Sequence, residues 1–299
     1  MTQNRREYDA AAFESLRPDL VALAYRMLGD AARAKDLVQE AWLRYQGRAE
    51  HVDSPRAFLV TVVTRLCLSE LGSARARAEV TSGLRLPEPV DVEAAGMGRI
   101  EEYERISMAF MVVLERLSAP ERAVFLLHEA FDFGHDEIAT LVDRTPEASR
   151  KLLERARAKV SAGRKLVSAS REEHARLLQA FLSATQTGDT ARLADLLAID
   201  ATLLTDAGPG GRSVGRIRNL KRPLVGAHKI AAFVLATSRA AHLSLEQHEL
   251  NGRPALVFSR QGQTFGALLF EVADGRIQSL YFQGDPARLR FLGKQTALA

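Results

Sequence analysis

The sequence predicts a multidomain chain, two all-α helical modules followed by an α+β domain, and three observations carry that prediction. Residues 13–78 and 117–159 place apolar side chains at three- and four-residue spacing, the period of amphipathic helices. After residue 170 the pattern changes to short apolar runs punctuated by Asn251-Gly252 and Asp274-Gly275, dipeptides that favour two-residue hairpins. Between the helical modules, residues 79–100 collect Gly83, Pro87, Pro89, Gly96 and Gly98 among acidic residues, which is linker composition. A length of 299 residues exceeds one typical domain.

In the first module, Phe13, Leu16, Leu20, Leu23, Ala24 and Met27 form one apolar stripe closed by Gly29-Asp30. A second helix is expected from Asp36 to Arg48 on Leu37, Val38, Ala41, Trp42 and Tyr45, with Trp42 and Tyr45 in the core. Asp53-Ser54-Pro55 breaks the chain and opens a third, apolar at Phe58, Leu59, Val62, Val63, Leu66 and Leu71. It trails into the basic run Ser73-Ala74-Arg75-Ala76-Arg77.

Helix resumes over 101–116. Ser118 and Glu121 then have the spacing of a capping box, in which the hydroxyl accepts a backbone N–H and the carboxylate reaches back. The helix that follows carries Val124, Leu126 and Leu127 and ends in the Phe131-Asp132-Phe133-Gly134 turn. A short helix, His135 to Val142, presents Ile138, Leu141 and Val142 on one side. Asp143-Arg144 turns the chain, Thr145 is placed to cap, and Pro146 opens the next helix where its missing N–H costs nothing. That helix keeps Ala148, Leu152, Leu153, Ala156 and Val160 inward. Its outward set is Ser149, Arg150, Lys151, Arg155, Arg157 and Lys159. A short helix, a tight turn and a longer capped basic helix make a helix-turn-helix, whose second helix suits the major groove. Ser149 and Arg150 are placed for base edges, the other cations for phosphates.

The third domain opens with helices at Arg171–Thr187 and Thr190–Leu197. Strands are expected at Ala201–Asp206, Leu243–Leu250, Ala255–Arg260, Phe265–Val272 and Arg276–Phe282, with a helix at Ala227–Ala240. This is helices packed on a curved antiparallel sheet.

Composition narrows the function. Hydrophobic residues at 46% and charged residues at 26% describe a globular protein. The single cysteine, Cys67, excludes an internal disulfide, and no paired Cys/His spacing announces a metal, so neither metal nor other cofactor is expected. Residues 1–20 lack the apolar centre of a signal peptide, and no run approaches the ~18 apolar residues of a membrane span. A cytoplasmic protein without a membrane partner is expected. Net charge is only +4, but its distribution is uneven. Residues 86–143 hold 13 acidic and 4 basic side chains, whereas 144–165 hold 8 basic and 2 acidic. That segregation fits a DNA-reading element beside an acidic surface. A second basic cluster, Arg212, Arg216, Arg218, Lys221 and Arg222, can hold an anion, meet nucleic acid or contact the acidic 86–143 stretch; the last is favoured.

Two runs in the first module, Ala24-Tyr25-Arg26-Met27-Leu28-Gly29-Asp30 and Asp36-Leu37-Val38-Gln39-Glu40-Ala41-Trp42-Leu43-Arg44, resemble bacterial sigma factors of the extracytoplasmic-function type. So do Ser54-Pro55-Arg56-Ala57-Phe58-Leu59, Arg65-Leu66-Cys67-Leu68, and Leu117-Ser118-Ala119-Pro120-Glu121-Arg122-Ala123-Val124-Phe125. The remainder resembles the subgroup that carries a fused SnoaL-like domain, a cone-shaped α+β fold. The carrying stretches are Leu86-Pro87-Glu88-Pro89, Asp206-Ala207-Gly208-Pro209-Gly210-Gly211 and Asp285-Pro286-Ala287-Arg288-Leu289.

The resemblance implies region 2 over 8–78, a linker over 79–100, region 4 over 101–165 and the SnoaL-like domain over 171–292. It implies core RNA polymerase and promoter DNA as partners. Polymerase would be met by Asp36, Gln39, Glu40 and Arg44. Promoter opening falls to the Asp53–Arg56 loop with Arg56, Arg65, Arg75 and Arg77, and −35 reading to Thr145, Ser149, Arg150, Lys151, Arg155 and Arg157. Leu86, Pro87, Glu88 and Pro89 would contact Asp206, Gly208, Gly210, Asp285, Pro286 and Leu289, a regulatory attachment in place of a separate anti-sigma protein. Two other readings stand beside it: a one-component helix-turn-helix regulator with a ligand sensor, and a SnoaL-like enzyme using Asp206, His242, Glu246 or His248. A small-molecule ligand of the last domain is left open, and no catalytic residue is expected.

Overall fold

A computed structural model of the chain describes residues 2–46, 52–78, 85–97, 106–164, 169–208, 213–214, 217–218, 220, 222–241, 244–290 and 292. The chain falls into two compact units. One comprises Met1–Val80, Val92–Glu101 and Val113–Ala162, the other Thr81–Asp91, Glu102–Val112 and Gly163–Ala299.

The first unit is all helix. Helices α1 (Thr2–Leu28), α2 (Ala31–Gln46) and α3 (Pro55–Ala78) pack on one another. Gly29, at φ 64°, ends α1 in the left-handed conformation that glycine tolerates. Asp30 then caps α2, its carboxylate accepting the Arg33 N–H at 2.9 Å. Helix α2 therefore starts five residues before the expected Asp36, because Asp30 begins the second helix as well as closing the first. Ser54 caps α3 by accepting from Ala57 N–H. Leu20, Leu23, Leu37 and Leu59 are fully buried, each contributing about 1.5–3 kcal/mol. Trp42 is half-buried, stacked between Phe13 at 4.4 Å and the buried Tyr45 at 5.7 Å.

Helix α4 (Met108–Glu115) runs from the second unit into the first, and residues 101–105 of the helix expected at 101–116 lie outside the described residues. The helix-turn-helix follows as α5 (Ala119–Phe131), α6 (His135–Val142) and α7 (Pro146–Arg164). The Ser118/Glu121 capping box forms, and Asp132 and Asp143, at φ 58° and 53°, end α5 and α6. Helix α5 packs against α1 and α3. Arg122, only 3% exposed, holds that contact by donating to the Met27 carbonyl and to Glu115 at 3.2 Å.

The second unit opens with α8 (Arg171–Thr187), capped by Ser170, and α9 (Thr190–Asp195), capped by Asp189. Strands β1 (Leu197–Asp206), β2 (Ser213–Val214), β3 (Ile217–Arg218) and β4 (Leu224–Val225) precede α10 (Ala227–Ala241). Then come β5 (Ser244–Leu250), β6 (Arg253–Arg260), β7 (Gln263–Ala273), β8 (Arg276–Gln283) and the short α11 (Pro286–Leu289). The main sheet has the order β4-β1-β8-β7-β6-β5. Asn251, Gln261 and Asp274 adopt positive φ in the three hairpin turns, each followed by a glycine.

The expected antiparallel sheet needs one correction: β1 runs parallel to β8, pairing Leu203 with Leu280. Tight turns force antiparallel neighbours on β5 to β8, but β2 to β4 and α10 separate β1 from them, so it is free to lie parallel. Strand β1 also begins at Leu197, not Ala201, and α9 ends correspondingly early. Its register slips between Leu197 and Thr202, where Ile199 and Asp200 are exposed, and this bulge erases the alternation.

Helices α8 to α10 cover one face of the sheet with Leu177, Phe181, Ile230 and Leu235 against Phe270 and Leu280. On the other face lie Leu86, Met108, Ala109, Val112 and Leu289 against Val257, Leu269 and Tyr281. Burial on both faces explains why β7 reads Ala267-Leu268-Leu269-Phe270 without alternation. Gly266 on β7 is required because a Cβ there would come within 2.5 Å of the Phe282 ring.

Replacing Arg122 with Ala leaves the Met27 carbonyl and Glu115 without their donor. We expect a loss of about 2–3 kcal/mol in the helical unit, measured by urea unfolding followed through the only tryptophan, Trp42.

Candidate functional site

The basic face of α7 is built by its cap. Thr145 accepts the Ala148 N–H at 3.2 Å and starts the helix at Pro146. Thr145, Arg150, Lys151, Arg155 and Arg157 are all exposed on it. Ser149 is the exception and corrects the expected outward set. It is fully buried, with its hydroxyl 3.0 Å from Nδ1 of His135. Three residues after Pro146, position 149 points back toward α6, so the hydroxyl orders the helix pair instead of facing outward.

Arg155, Arg157 and Lys159 are held by carboxylates of α5. Glu121 is buried, accepts from both Ser118 groups and from Lys159 at 2.8 Å, and has Arg155 at 3.6 Å. Burial works against its charge, but Lys159 and Ser118 hold its carboxyl below the ordinary carboxylate range. Glu129 accepts from Arg157 through Nε at 2.9 Å and Nη2 at 2.6 Å.

On α2, Asp36, Gln39 and Arg44 are exposed and Glu40 half-buried, on the side opposite Leu37, Val38 and Ala41. Arg44 pairs with Glu40 at 2.6 Å, the expected contact one turn apart. Leu43, 60% exposed, sits among them. Arg56 and Arg65 are exposed on α3. Arg56 lies with its guanidinium carbon 5.6 Å from the centroid of the Phe131 ring and donates to the Phe131 carbonyl at 3.3 Å. Arg75 and Arg77 belong to α3, but their side chains lie outside the described residues.

Within the second unit, the segment Leu86–Val90 is buried without regular secondary structure. Leu86 N–H donates to Oδ2 of Asp206 at 2.9 Å, whose Oδ1 accepts Gly208 N–H at 2.9 Å. Nε2 of Gln283 donates to the carbonyls of Leu86 at 3.0 Å and Pro87 at 3.3 Å, and Arg288 donates to Leu86 as well. Gln283 is itself fixed by Asp285 N–H at 3.0 Å, and Asp285 caps α11. Gly208 has φ +74° and would carry a Cβ into Asp285 at 2.8 Å. Asn251 binds Val90 reciprocally, its N–H to the carbonyl at 2.7 Å and its Oδ1 from the N–H at 3.1 Å. Its Nδ2 reaches the Ile106 carbonyl at 2.8 Å, while Glu271 accepts Ala109 N–H at 3.0 Å at the start of α4.

Of the expected contact set, Leu86, Asp206, Gly208, Asp285 and Leu289 come together here, with Pro87, Glu88 and Pro89 buried beside them. Pro286 is exposed and only opens α11, and Gly210 lies outside the described residues. Gln283, Asn251, Glu271 and Arg288 were missed. Asn251 had a signal, but only as a turn residue.

Of the residues considered for catalysis, three are described: Asp206, Glu246 and His248. Asp206 is engaged by Leu86 and Gly208, and His248 pairs with Glu246 at 3.3 Å on β5. His242 lies outside the described residues, as do Arg212, Arg216 and Lys221; the Arg218 side chain is not described, and Arg222 is exposed. Among the described residues no group of three His, Cys, Asp or Glu can hold a metal ion, and no helix is long and apolar enough to cross a membrane. Burial pushes the Cys67 thiol up to about 12.

Comparison with known proteins agrees with this geometry. The family model for sigma-70 region 2 matches residues 12–77, and that for sigma-70 region 4 matches residues 107–160. Over 231 residues the chain is 36% identical to the ECF RNA polymerase sigma factor SigJ of Mycobacterium tuberculosis, spanning 76% of this chain and 72% of that protein. It is 29% identical over 284 residues to the probable ECF RNA polymerase sigma factor SigI of the same organism, 94% of each. The crystal structure of M. tuberculosis SigJ aligns with a TM-score of 0.72 at 28% identity, over 94% of this chain and 98% of that one. These relatives do not favour the one-component regulator. Two helical modules of the sigma-70 type in the right order, with an α+β domain behind them, place the chain in the family of extracytoplasmic-function RNA polymerase sigma factors, which are alternative sigma factors.

Proposed function

We propose that this sigma factor holds core RNA polymerase through α2, opens promoter DNA through α3, reads the −35 element through α7, and is regulated in cis by its sheet domain. The polymerase surface is the exposed Asp36, Gln39, Glu40 and Arg44. Strand separation uses Arg56 and Arg65 with the basic tail at Arg75 and Arg77, which follow phosphates of the displaced strand. On α7, Arg150 reads a base edge from the N-terminal turn, while Lys151, Arg155 and Arg157 position the helix on phosphates and Thr145 anchors its start. The expected domains follow: region 2 over 8–78, linker over 79–100, region 4 over 101–165 and regulatory domain over 171–292. The protein would act in the cytoplasm, where its polymerase is.

The observation that carries cis regulation is the burial of Leu86–Val90 on the sheet domain. A linker fixed at both backbone polarities limits how freely the two promoter-reading modules can be spaced. A built-in restraint of this kind supports a factor that needs no separate anti-sigma protein. The engagement of Asp206 by the linker supports a regulatory, non-catalytic domain.

The deciding experiment is in-vitro transcription with core polymerase, comparing the full chain with a graded series truncated from residue 171. We expect initiation that changes in level or promoter spacing when the domain is removed. A chain that does not bind core polymerase overturns the reading, and identical output across the series overturns the regulatory part.

Asp206→Ala and Gln283→Ala each remove bonds to Leu86. Hydrogen exchange over residues 86–90 should quicken at least tenfold, about 1.4 kcal/mol of local stability. Transcription should shift in the same direction as on truncation. For α7, Arg150→Ala in the holoenzyme should weaken a selected promoter about tenfold while sparing random DNA, whereas Arg157→Ala should weaken both alike. Competition binding with the two duplexes separates these outcomes.

A further inference from the structure

His128, near the end of α5, and His135, the first residue of α6, stack with ring centroids 5.2 Å apart. Charge from three helices surrounds the pair. From α5 comes Glu129, whose Oε1 receives Arg157 and lies 3.5 Å from Nδ1 of His128. Asp136 comes from α6. From α7 come Arg157 and Arg150, the latter 3.9 Å from Glu147. Helix α3 also packs on α6, but its Arg56 is held at Phe131. Nδ1 of His135 is satisfied by the buried Ser149 hydroxyl at 3.0 Å, a partner that can donate to the neutral ring or accept from the charged one. The ring is thereby oriented with Nε2 as its atom for another partner.

We propose that His128 and His135, with Arg157, form a proton-dependent site for a phosphate of the DNA backbone. The inference rests on the assignment of α7 as the −35 reader. In the free protein, burial together with His128, Arg150 and Arg157 holds His135 below the ordinary imidazole range, with Asp136 acting the other way. A phosphodiester seated there reverses the balance, because a nearby negative charge favours the protonated ring. The protonated ring then donates Nε2–H to a phosphate oxygen in a charge-assisted bond. No covalent bond changes; one proton passes from solvent to the ring on binding and returns on release.

The sign follows from linkage. The bound ring has the higher pKa, so affinity rises as pH falls from the bound value toward the free one, and is level beyond both. Each unit of separation is worth tenfold per proton. Backbone phosphates carry no sequence, so the coupling is expected on any duplex.

The test is fluorescence anisotropy of the full chain with a labelled random-sequence duplex of about 30 base pairs at low salt, at pH 6 and pH 8. The wild type should bind about five- to tenfold tighter at pH 6. The H128Q/H135Q variant, which keeps a hydrogen-bonding group toward Ser149, should lose that difference. The H228Q variant, altered at an exposed position on α10, should keep it. Calorimetry in two buffers of different ionisation enthalpy should show proton uptake by the wild type alone of the first two. A wild type that binds equally at both pH values, or a double variant that keeps the slope, overturns the proposal. Absence of binding at either pH overturns it together with the DNA-reading assignment, and so is distinguishable from failure of the proton linkage alone.

Discussion

A stretch of chain that is buried yet neither helix nor strand must find partners for its backbone polar groups, and the second unit is organised around that constraint. Leu86–Val90 is such a stretch. Pro87 and Pro89 remove two of its five N–H groups at source. Asp206 and Asn251 take the N–H groups of Leu86 and Val90, and Gln283, Arg288 and the Asn251 backbone serve its carbonyls. Each unpartnered group would cost about 1–3 kcal/mol. The residues that meet this demand come from the end of β1, the β5–β6 turn, the end of β8 and α11, sites that only the assembled domain brings together.

The helix-turn-helix meets a different electrostatic problem. Its second helix gathers cations on one face, and neighbouring cations repel. Glu129 and Glu121 neutralise Arg157, Arg155 and Lys159 from within the same module. Exposed ion pairs are worth about 0–1 kcal/mol, so Glu129 holds Arg157 only weakly. Glu121 differs because it is buried and also caps α5 through Ser118. It therefore keeps Lys159 as a structural cation while Arg150 and Lys151 remain the outward ones.

Much of this was legible in the residues. Caps fixed the starts of α5 and α7, and Gly-containing turns fixed the hairpins, because both signals depend on local backbone chemistry alone. The contact between Leu86–Pro89 and Asp206 was anticipated only through family resemblance, since no local rule links positions 120 residues apart. Ser149 was misplaced because helical spacing names a face only within about one residue, and the α6 side of α7 begins there. Gln283 and Glu271 gave no signal: a polar residue at the end of a strand looks solvent-facing until the segment that covers it is known. Strands β2 to β4 and helix α11 span two to four residues, too few for a period to show.

The main sheet ends in β5 on one side and the two-residue β4 on the other. An open edge offers unpaired backbone to any passing strand. Here β5 spaces Glu246 and Glu249 along its length, and β4 is too short to template a neighbour, with the β1 bulge interrupting the ladder beside it. Both borders thus discourage strand addition.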